Sequence, residues 1–324
     1  MLEASVEAQR IEDRVGPAVR EALTLQIREA GAIIDPPRVK GWYAPYRDGQ
    51  ATEGVSRHGD LVYGEHARHR LDLYVPSAPI SGTTNEPRPA VIFLHGGGFI
   101  RGDKRDRANV GWRLARAGYA AVLPNYRLGP DSGWPAGAED VAHVRAWVQA
   151  HADEFGLDPS RVFVAGESAG AAHVAASTLM TRFAPQGVAA PAGAIFVSGV
   201  YHAELELKAR AQFGVATPDP RNEAYFGSDF SRYHAMSTVE QIDATPFPLL
   251  ITYAELDPVQ MQVQAGELFA RLVTRHGFAP EIKVIAAHNH LSQVEAINTV
   301  DDVLAGEVLR FLDARSATNT ISTD

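Results

Sequence analysis

The sequence predicts an α/β protein with a mostly parallel central sheet flanked by helices. Three observations predict it. Largely apolar runs recur along the chain at Ala90–Leu94, Ala120–Leu123, Val162–Ala165, Ala194–Ser198 and Pro248–Tyr253, as expected of strands covered on both faces. Helical patterns of apolar residues separate them, the alternation that builds parallel sheets. One strand, Val162–Ala165, runs through Gly166-Glu-Ser-Ala-Gly170 directly into a helix-forming stretch rich in alanine, which is the strand–turn–helix context of a G-x-S-x-G elbow.

The chain opens with residues 1–34, which read as two helical pieces interrupted at Gly16-Pro17, with Pro17 suited to the first position of the second. Val19, Ala22, Leu23, Ile27 and Ala30 form an apolar stripe, and Gly31 is a stop signal. The stripe fits a helix packed on the core or part of a lid. Residues 35–58, rich in proline, glycine and aromatics, read as a loop whose Trp42, Tyr43 and Tyr46 could line a pocket mouth or pack on the surface. His58, His66 and His69 lie close in sequence but without a carboxylate at a familiar ligand spacing.

Strand signals follow at Leu61–Tyr63 and Leu71–Val75, then a Pro/Ser/Gly-rich loop over 76–89. After the strand Ala90–Leu94 comes His95-Gly-Gly-Gly-Phe99. Three successive glycines cost backbone entropy, which a loop that brings its amides close to a ligand oxygen would justify. The phosphate-loop reading is weaker, because the G-K-[ST] ending is missing and Lys104 comes too late. Helices are expected over 106–117, ending at Gly118, and from Pro135 to Phe155, with Gly156–Pro159 leading into the elbow strand.

In the elbow, glycine at 166 and 170 lets strand and helix approach closely, and Ser168 projects from the sheet edge. The amide of Ala169 lies in the first helical turn, where donors are unpaired and the dipole favours negative charge. The plainer reading is a glycine-bounded turn whose serine caps the helix. Residues 201–245 break the strand–helix rhythm, with Phe213, Tyr225, Phe226, Phe230 and Tyr233 set among Pro, Gly and charge. So long an insertion is usually functional, and it reads as a cap segment giving aromatic walls to a pocket, the plainer reading being a surface excursion. After Pro248–Tyr253, Glu255 and Asp257 compete at the carboxyl end of a strand, where such sheets place their chemistry. Asp257 precedes Pro258, which biases it to an extended or turn conformation able to reach out of the loop, and it is preferred on the motif context, with Glu255 as a helper or a solvated acid. A helix Val259–His276 and a last strand Glu281–Ala286 follow. His290 sits in the next loop, where a base could reach the serine, with His288 as the plainer loop histidine. Ser292–Glu295 has the form of a capping box, residues 299–313 form a closing helix, and the tail from Arg315 is expected to fray.

Ser168, Asp257 and His290 in that chain order, with an HGGG loop upstream, follow the α/β-hydrolase arrangement. On His95-Gly-Gly-Gly-Phe99, Gly166-Glu-Ser-Ala-Gly170, Glu255-Leu-Asp-Pro258 and His290, the sequence resembles the hormone-sensitive-lipase-like esterases from about residue 61 to residue 313. The resemblance implies Ser168 as nucleophile, Asp257 and His290 as its partners, and Gly97, Gly98 and Ala169 as oxyanion donors. It implies two-step acyl transfer on a carboxylic ester. It also implies a cap from N-terminal helices plus an insertion late in the sheet, giving 1–58 and 201–245 as cap, 59–200 and 246–315 as catalytic domain, and 316–324 as a flexible tail. Asn125 departs from the aspartate many members carry before Tyr-Arg-Leu. His288-Asn-His-Leu-Ser292 also resembles formamidase-type and feruloyl-esterase-like relatives, which keeps an amide hydrolase as the alternative. A non-catalytic small-ligand receptor is the other, and it would be expected to lack a member of the Ser–Asp–His set.

Composition limits the rest. The 324 residues are 45% hydrophobic and 21% charged, ordinary for a globular chain. With no cysteine, disulfides, thiolate nucleophiles and Cys-based zinc sites are excluded. A net charge of −9 argues against a nucleic-acid partner. No apolar run is long enough for a membrane span, and the charged N-terminus lacks the apolar core of a signal peptide, so the expected location is cytoplasmic. A small-molecule ester is the expected partner, with a homodimer left open. No cofactor motif is present and none is expected, nor is a metal.

Overall fold

The computed structural model describes residues 2–47, 52–77, 86–205 and 220–316. Eight strands form one sheet: β1 (Val55–Val62), β2 (Arg70–Pro76), β3 (Arg88–Leu94), β4 (Ala120–Pro124), β5 (Leu157–Glu167), β6 (Gly193–Val197), β7 (Leu249–Leu256) and β8 (Glu281–Asn289). Their spatial order is β1-β2-β4-β3-β5-β6-β7-β8. Only β2 runs antiparallel to its neighbours, β1 and β4; the other pairs are parallel. The elbow strand β5 is therefore central, and the loops after β3, β5, β7 and β8 emerge at one edge.

Alternate residues of each inner strand feed opposite faces. Ile92, Leu94, Val164 and Phe196 enter one core layer with Val144, Val174 and Leu268. Val91, Phe93, Phe163 and Ile195 enter the other with Val110, Leu114, Leu304 and Phe311. Burial on both faces explains why these strands read as continuous apolar runs.

Several elements differ from expectation. α1 (Leu2–Ala30) is one helix that runs through Pro17, and it stops at Gly31, whose φ is +66°. Residues expected as loop form α2 (Pro36–Arg47). Pro36 and Pro37 occupy the first turn, where no N–H is needed, Pro45 lies near the end of the helix, and Asp35 accepts the Arg38 N–H at 3.2 Å. Val39 and Tyr43, one turn apart, pack on Leu23 and Ile27 of α1 and on Ala296. Thus Trp42, Tyr43 and Tyr46 belong to the α1–α2 contact rather than to a pocket mouth. β1 begins at Val55 rather than Leu61, with a register break between His58 and Leu61 and Asp60 at φ +55°.

α3 (Ala108–Arg116) follows a short turn. The helix expected over 135–155 is split at His151 into α4 (Ala136–Ala150) and α5 (Ala152–Phe155). β8 extends to Asn289 after a register break. Arg315 stays within the last helix, Val303–Ser316, and donates to Glu281 at 2.5 Å. Phe213 and the tail 317–324 lie outside the described residues.

Candidate active site

Ser168 sits between β5 and α6 (Ala169–Leu179) at φ +52°, ψ −119°. That is strained for a residue with a side chain, and the strain is held by its surroundings. The Ser168 N–H donates to Val197 O at 2.8 Å. A Cβ on Gly166 would lie 2.5 Å from the Gly170 carbonyl carbon, and one on Gly170 would lie 2.4 Å from Leu94 O. Only glycine at both positions lets the helix start this close to β3. Ser168 forms no side-chain cap, so the plainer reading of the elbow does not hold.

His290 Nε2 lies 3.0 Å from Ser168 Oγ, and its Nδ1 lies 2.6 Å from Asp257 Oδ1. Asp257 follows β7 directly. Its Oδ2 accepts the Ser198 hydroxyl at 2.6 Å and the Ala254 N–H at 2.7 Å, so both oxygens are committed. Ser198 in turn accepts Gln293 Nε2 at 2.7 Å. Burial disfavours a charged His290, but the Asp257 carboxylate, the hydrogen bond to it and the Glu167 charge more than offset that, so His290 titrates above the ordinary histidine range.

The competing residues lie elsewhere. Glu255 forms a two-point pair with Arg28 of α1 at 2.9 and 3.1 Å and accepts the Ala287 N–H at 2.7 Å; these bonds, the Arg28 one foremost, hold it below the usual carboxylate range. His288 is buried against Ser292 Oγ at 3.1 Å, and burial lowers it to about 4. The capping-box expectation at Ser292–Glu295 also fails. Ser292 Oγ accepts the Asn289 N–H at 2.9 Å, and Asn289 Oδ1 takes the Leu291 and Ser292 N–H groups, while Glu295 turns to Arg107. The helix does start there.

The glycine loop follows β3. Gly97 has φ +138° and Gly98 φ +59°, and a Cβ on Gly97 would fall 2.0 Å from Arg101 O. Gly96, Gly97, Gly98, Ser168 and His290 line one cavity of about 390 Å³, within the size range of small-molecule pockets. α2 and the chain before it supply Ile34, Pro36, Pro37 and Lys40 to its wall. Among the described residues of the segment 201–245, the wall takes Arg221 and Asn222 and not Tyr225, Phe226, Phe230 or Tyr233. Tyr225, Phe226 and Tyr233 instead pack with Phe99 beneath the glycine loop, and Phe230 is exposed. Asn125 is buried; it accepts the Lys104 N–H at 2.7 Å and donates to Asp103 at 2.8 Å. An aspartate there would set two carboxylates together.

Sequence reasoning missed Arg107, Glu167, Glu295, Ser198 and Gln293. Glu167 occupies the variable position of the elbow pentapeptide, but no local signal marks Arg107. As for metal ligands, His69 meets Asp140 at 3.0 Å, with His143 nearby. The Asp140 carboxylate already receives Arg127 at 2.8 Å, and that cation disfavours a second one.

A family model described as the alpha/beta hydrolase fold matches residues 91–293. The "Probable carboxylic ester hydrolase LipM" of Mycobacterium tuberculosis is 36% identical over 134 residues, covering 39% of this chain and 30% of that protein. The "Ethyl acetate hydrolase" of Pseudomonas putida is 27% identical over 214 residues, covering 62% and 65%. The chain therefore spans less than two thirds of either relative. The crystal structure of esterase B from Lactobacillus Rhamnosis superposes with a TM-score of 0.71 over 92% of this chain and 96% of that one at 19% identity, a likeness of fold. No helix among the described residues is long and apolar enough to cross a membrane. With a glycine loop after β3, a serine elbow after β5 and a family match over residues 91–293, the chain belongs to the α/β-hydrolase fold family, in its hormone-sensitive-lipase-like branch.

Proposed function

We propose that this protein is a serine carboxylic-ester hydrolase acting on small to medium acyl esters through an acyl-enzyme. The observation that carries the reading is the unbroken line from Ser168 Oγ to His290 Nε2 at 3.0 Å and from His290 Nδ1 to Asp257 at 2.6 Å. In this reading His290 takes the Ser168 proton as Oγ attacks the ester carbonyl, while Asp257 fixes the imidazole tautomer and stabilises the imidazolium. The amides of Gly97, Gly98 and Ala169 hold the tetrahedral oxyanion, each such donor contributing on the order of a hundred- to a thousandfold in rate. His290 then protonates the leaving alcohol, and water releases the acid. No step requires a cofactor.

The same reading assigns α1, α2 and the segment 201–245 to a cap over the catalytic domain, on the support of Ile34, Pro36, Pro37, Arg221 and Asn222 in the cavity wall. The cavity volume of about 390 Å³ favours small-molecule esters. A cytoplasmic setting accords with the cysteine-free sequence, and sedimentation separates a monomer from a homodimer. The test is a rate series on p-nitrophenyl esters of increasing chain length, beside a matched amide. Ser168→Ala should abolish ester turnover without unfolding the protein. Unaffected hydrolysis would remove the assignment, and a faster amide rate would move the reaction to amide hydrolysis.

A further inference from the structure

In the wall of the cavity lies a buried group of charges, Arg107, Glu167 and Glu295, that the proposed reaction leaves unused. Arg107 closes a short 3-10 turn, Lys104–Arg107, which Asp103 and Asp106 cap reciprocally. It is 7% exposed. Its Nε donates to Glu167 Oε1, and its Nη1 donates to Glu295 Oε1 at 3.0 Å and to Asp106 O at 2.7 Å. The same Glu167 oxygen accepts the N–H of Gly96 at 2.8 Å. Arg47, the last residue of α2, ion-pairs with the other oxygen of Glu295.

The sequence positions of these partners matter. Glu167 precedes Ser168, Gly96 precedes Gly97, and Glu295 lies in the short helix that begins two residues after His290. One guanidinium therefore joins the elbow, the glycine loop and the loop that carries His290. Its rigid fork suits two carboxylates at once. Burial works against the Arg107 charge, but Glu167 and Glu295 more than offset this and hold it protonated. Buried ion pairs are often no more stabilising than apolar residues of the same volume. Stability alone is thus a weak reason to place two cations and two anions against the pocket wall.

We propose that Arg107 is a positioning residue, which acts through Glu167 and Glu295 to hold the oxyanion loop and the His290 loop in register with Ser168. The proposal rests on the roles given above to Ser168, His290 and the loop amides. The Arg107 guanidinium hydrogen-bonds to Glu167, Glu295 and the Asp106 carbonyl, not to Ser168, His290 or Asp257. Without it, the acceptor of the Gly96 N–H loses its anchor, and the His290 loop loses its tie to the elbow. The charged groups facing His290 are Asp257, Glu167 and Arg221; the first two favour its protonated form and the third opposes it. Replacing Glu167 by glutamine therefore removes a charge that raises His290.

A double-mutant cycle tests this, with Arg107→Met, Glu167→Gln, their combination, and Arg107→Lys. The readouts are kcat and KM on p-nitrophenyl butyrate and the His290 ring titration by NMR. Each single variant should lower kcat by about ten- to a hundredfold, the scale of small misplacements of reacting groups, with KM little changed. The double variant should be no slower than the slower single, because both act through one contact. Arg107→Lys should recover part of kcat, and Glu167→Gln should move the His290 titration to lower pH. Multiplying losses in the double variant, full kcat in Arg107→Met, or an unmoved His290 titration in Glu167→Gln would overturn the proposal. If Arg107→Met does not fold, Arg107→Lys takes its place in the cycle. If the unaltered protein turns over no ester, the hydrolase reading has failed, and the His290 titration still decides the charge coupling.

Discussion

Gly97→Ala isolates the proposed oxyanion loop from the rest of the site. Gly97 holds φ +138°, a conformation that L side chains rarely adopt. An added methyl would lie 2.0 Å from Arg101 O and 2.6 Å from its carbonyl carbon, where ordinary contact begins at 3.4 Å. The neighbour is backbone, so the loop must yield by about 1.4 Å or rotate, given how steeply repulsion rises inside contact. Either response turns the Gly97 amide, and the Gly98 amide beside it, away from the oxyanion position proposed for them. Loss of one oxyanion donor costs about a hundred- to a thousandfold in kcat, and a displacement of ~1 Å costs about a hundredfold by misalignment alone. A fall of about 10² to 10³ in kcat is therefore expected on p-nitrophenyl butyrate, with KM far less affected. Thermal unfolding checks that the domain survives. A folded variant that retains kcat close to the unaltered protein would refute the reasoning, because the loop would then not supply the donors.

Because His290 is held above the ordinary histidine range and must be neutral to accept the Ser168 proton, kcat/KM should fall as pH drops through that raised value. Asp257→Asn should lower kcat by about 10⁴ and carry the remaining acid limb to lower pH; a pH–rate profile with an unmoved limb would contradict the pairing. His290→Ala should remove turnover, whereas His288→Ala should keep most of kcat and cost about 1–3 kcal/mol in denaturant unfolding, since it breaks a buried contact to Ser292; the reverse ranking would exchange their roles. Tyr43 donates to Asp301 at 3.0 Å in a buried setting, where burial raises Asp301 above the usual carboxylate range. Tyr43→Phe should therefore destabilise the protein by about 1–3 kcal/mol, and unchanged unfolding would show that the bond contributes nothing net.

The parallel core was legible because its strands are covered on both faces and so carry almost no polar residue. The glycine loop and the elbow were legible for a different reason. Only glycine fits where a Cβ would strike Arg101 O, Gly170 or Leu94 O, so backbone geometry is written directly into residue type. α2 was hidden because its three prolines and Gly41 read as loop. The signal lay in Asp35 before Pro36-Pro37 and in Val39 and Tyr43 one turn apart. The capping-box expectation failed because Asn289 supplies a competing acceptor and buried Arg107 draws Glu295 away. Arg107 could not be found from sequence, since its partners Glu167 and Glu295 lie 60 and 188 positions away and no spacing rule joins them. The aromatics of 201–245 were expected as pocket walls, but Tyr225, Phe226 and Tyr233 pack with Phe99 under the glycine loop instead, because only the fold decides which face they cover.

The central claim is that Ser168 becomes acylated, and covalent trapping tests it most directly. The protein is mixed with p-nitrophenyl butyrate, quenched in acid on the burst timescale, digested and mapped by mass spectrometry. The account predicts one butyryl adduct, on Ser168, that is absent in Ser168→Ala. An adduct confined to another residue, or continued turnover by Ser168→Ala, would contradict it.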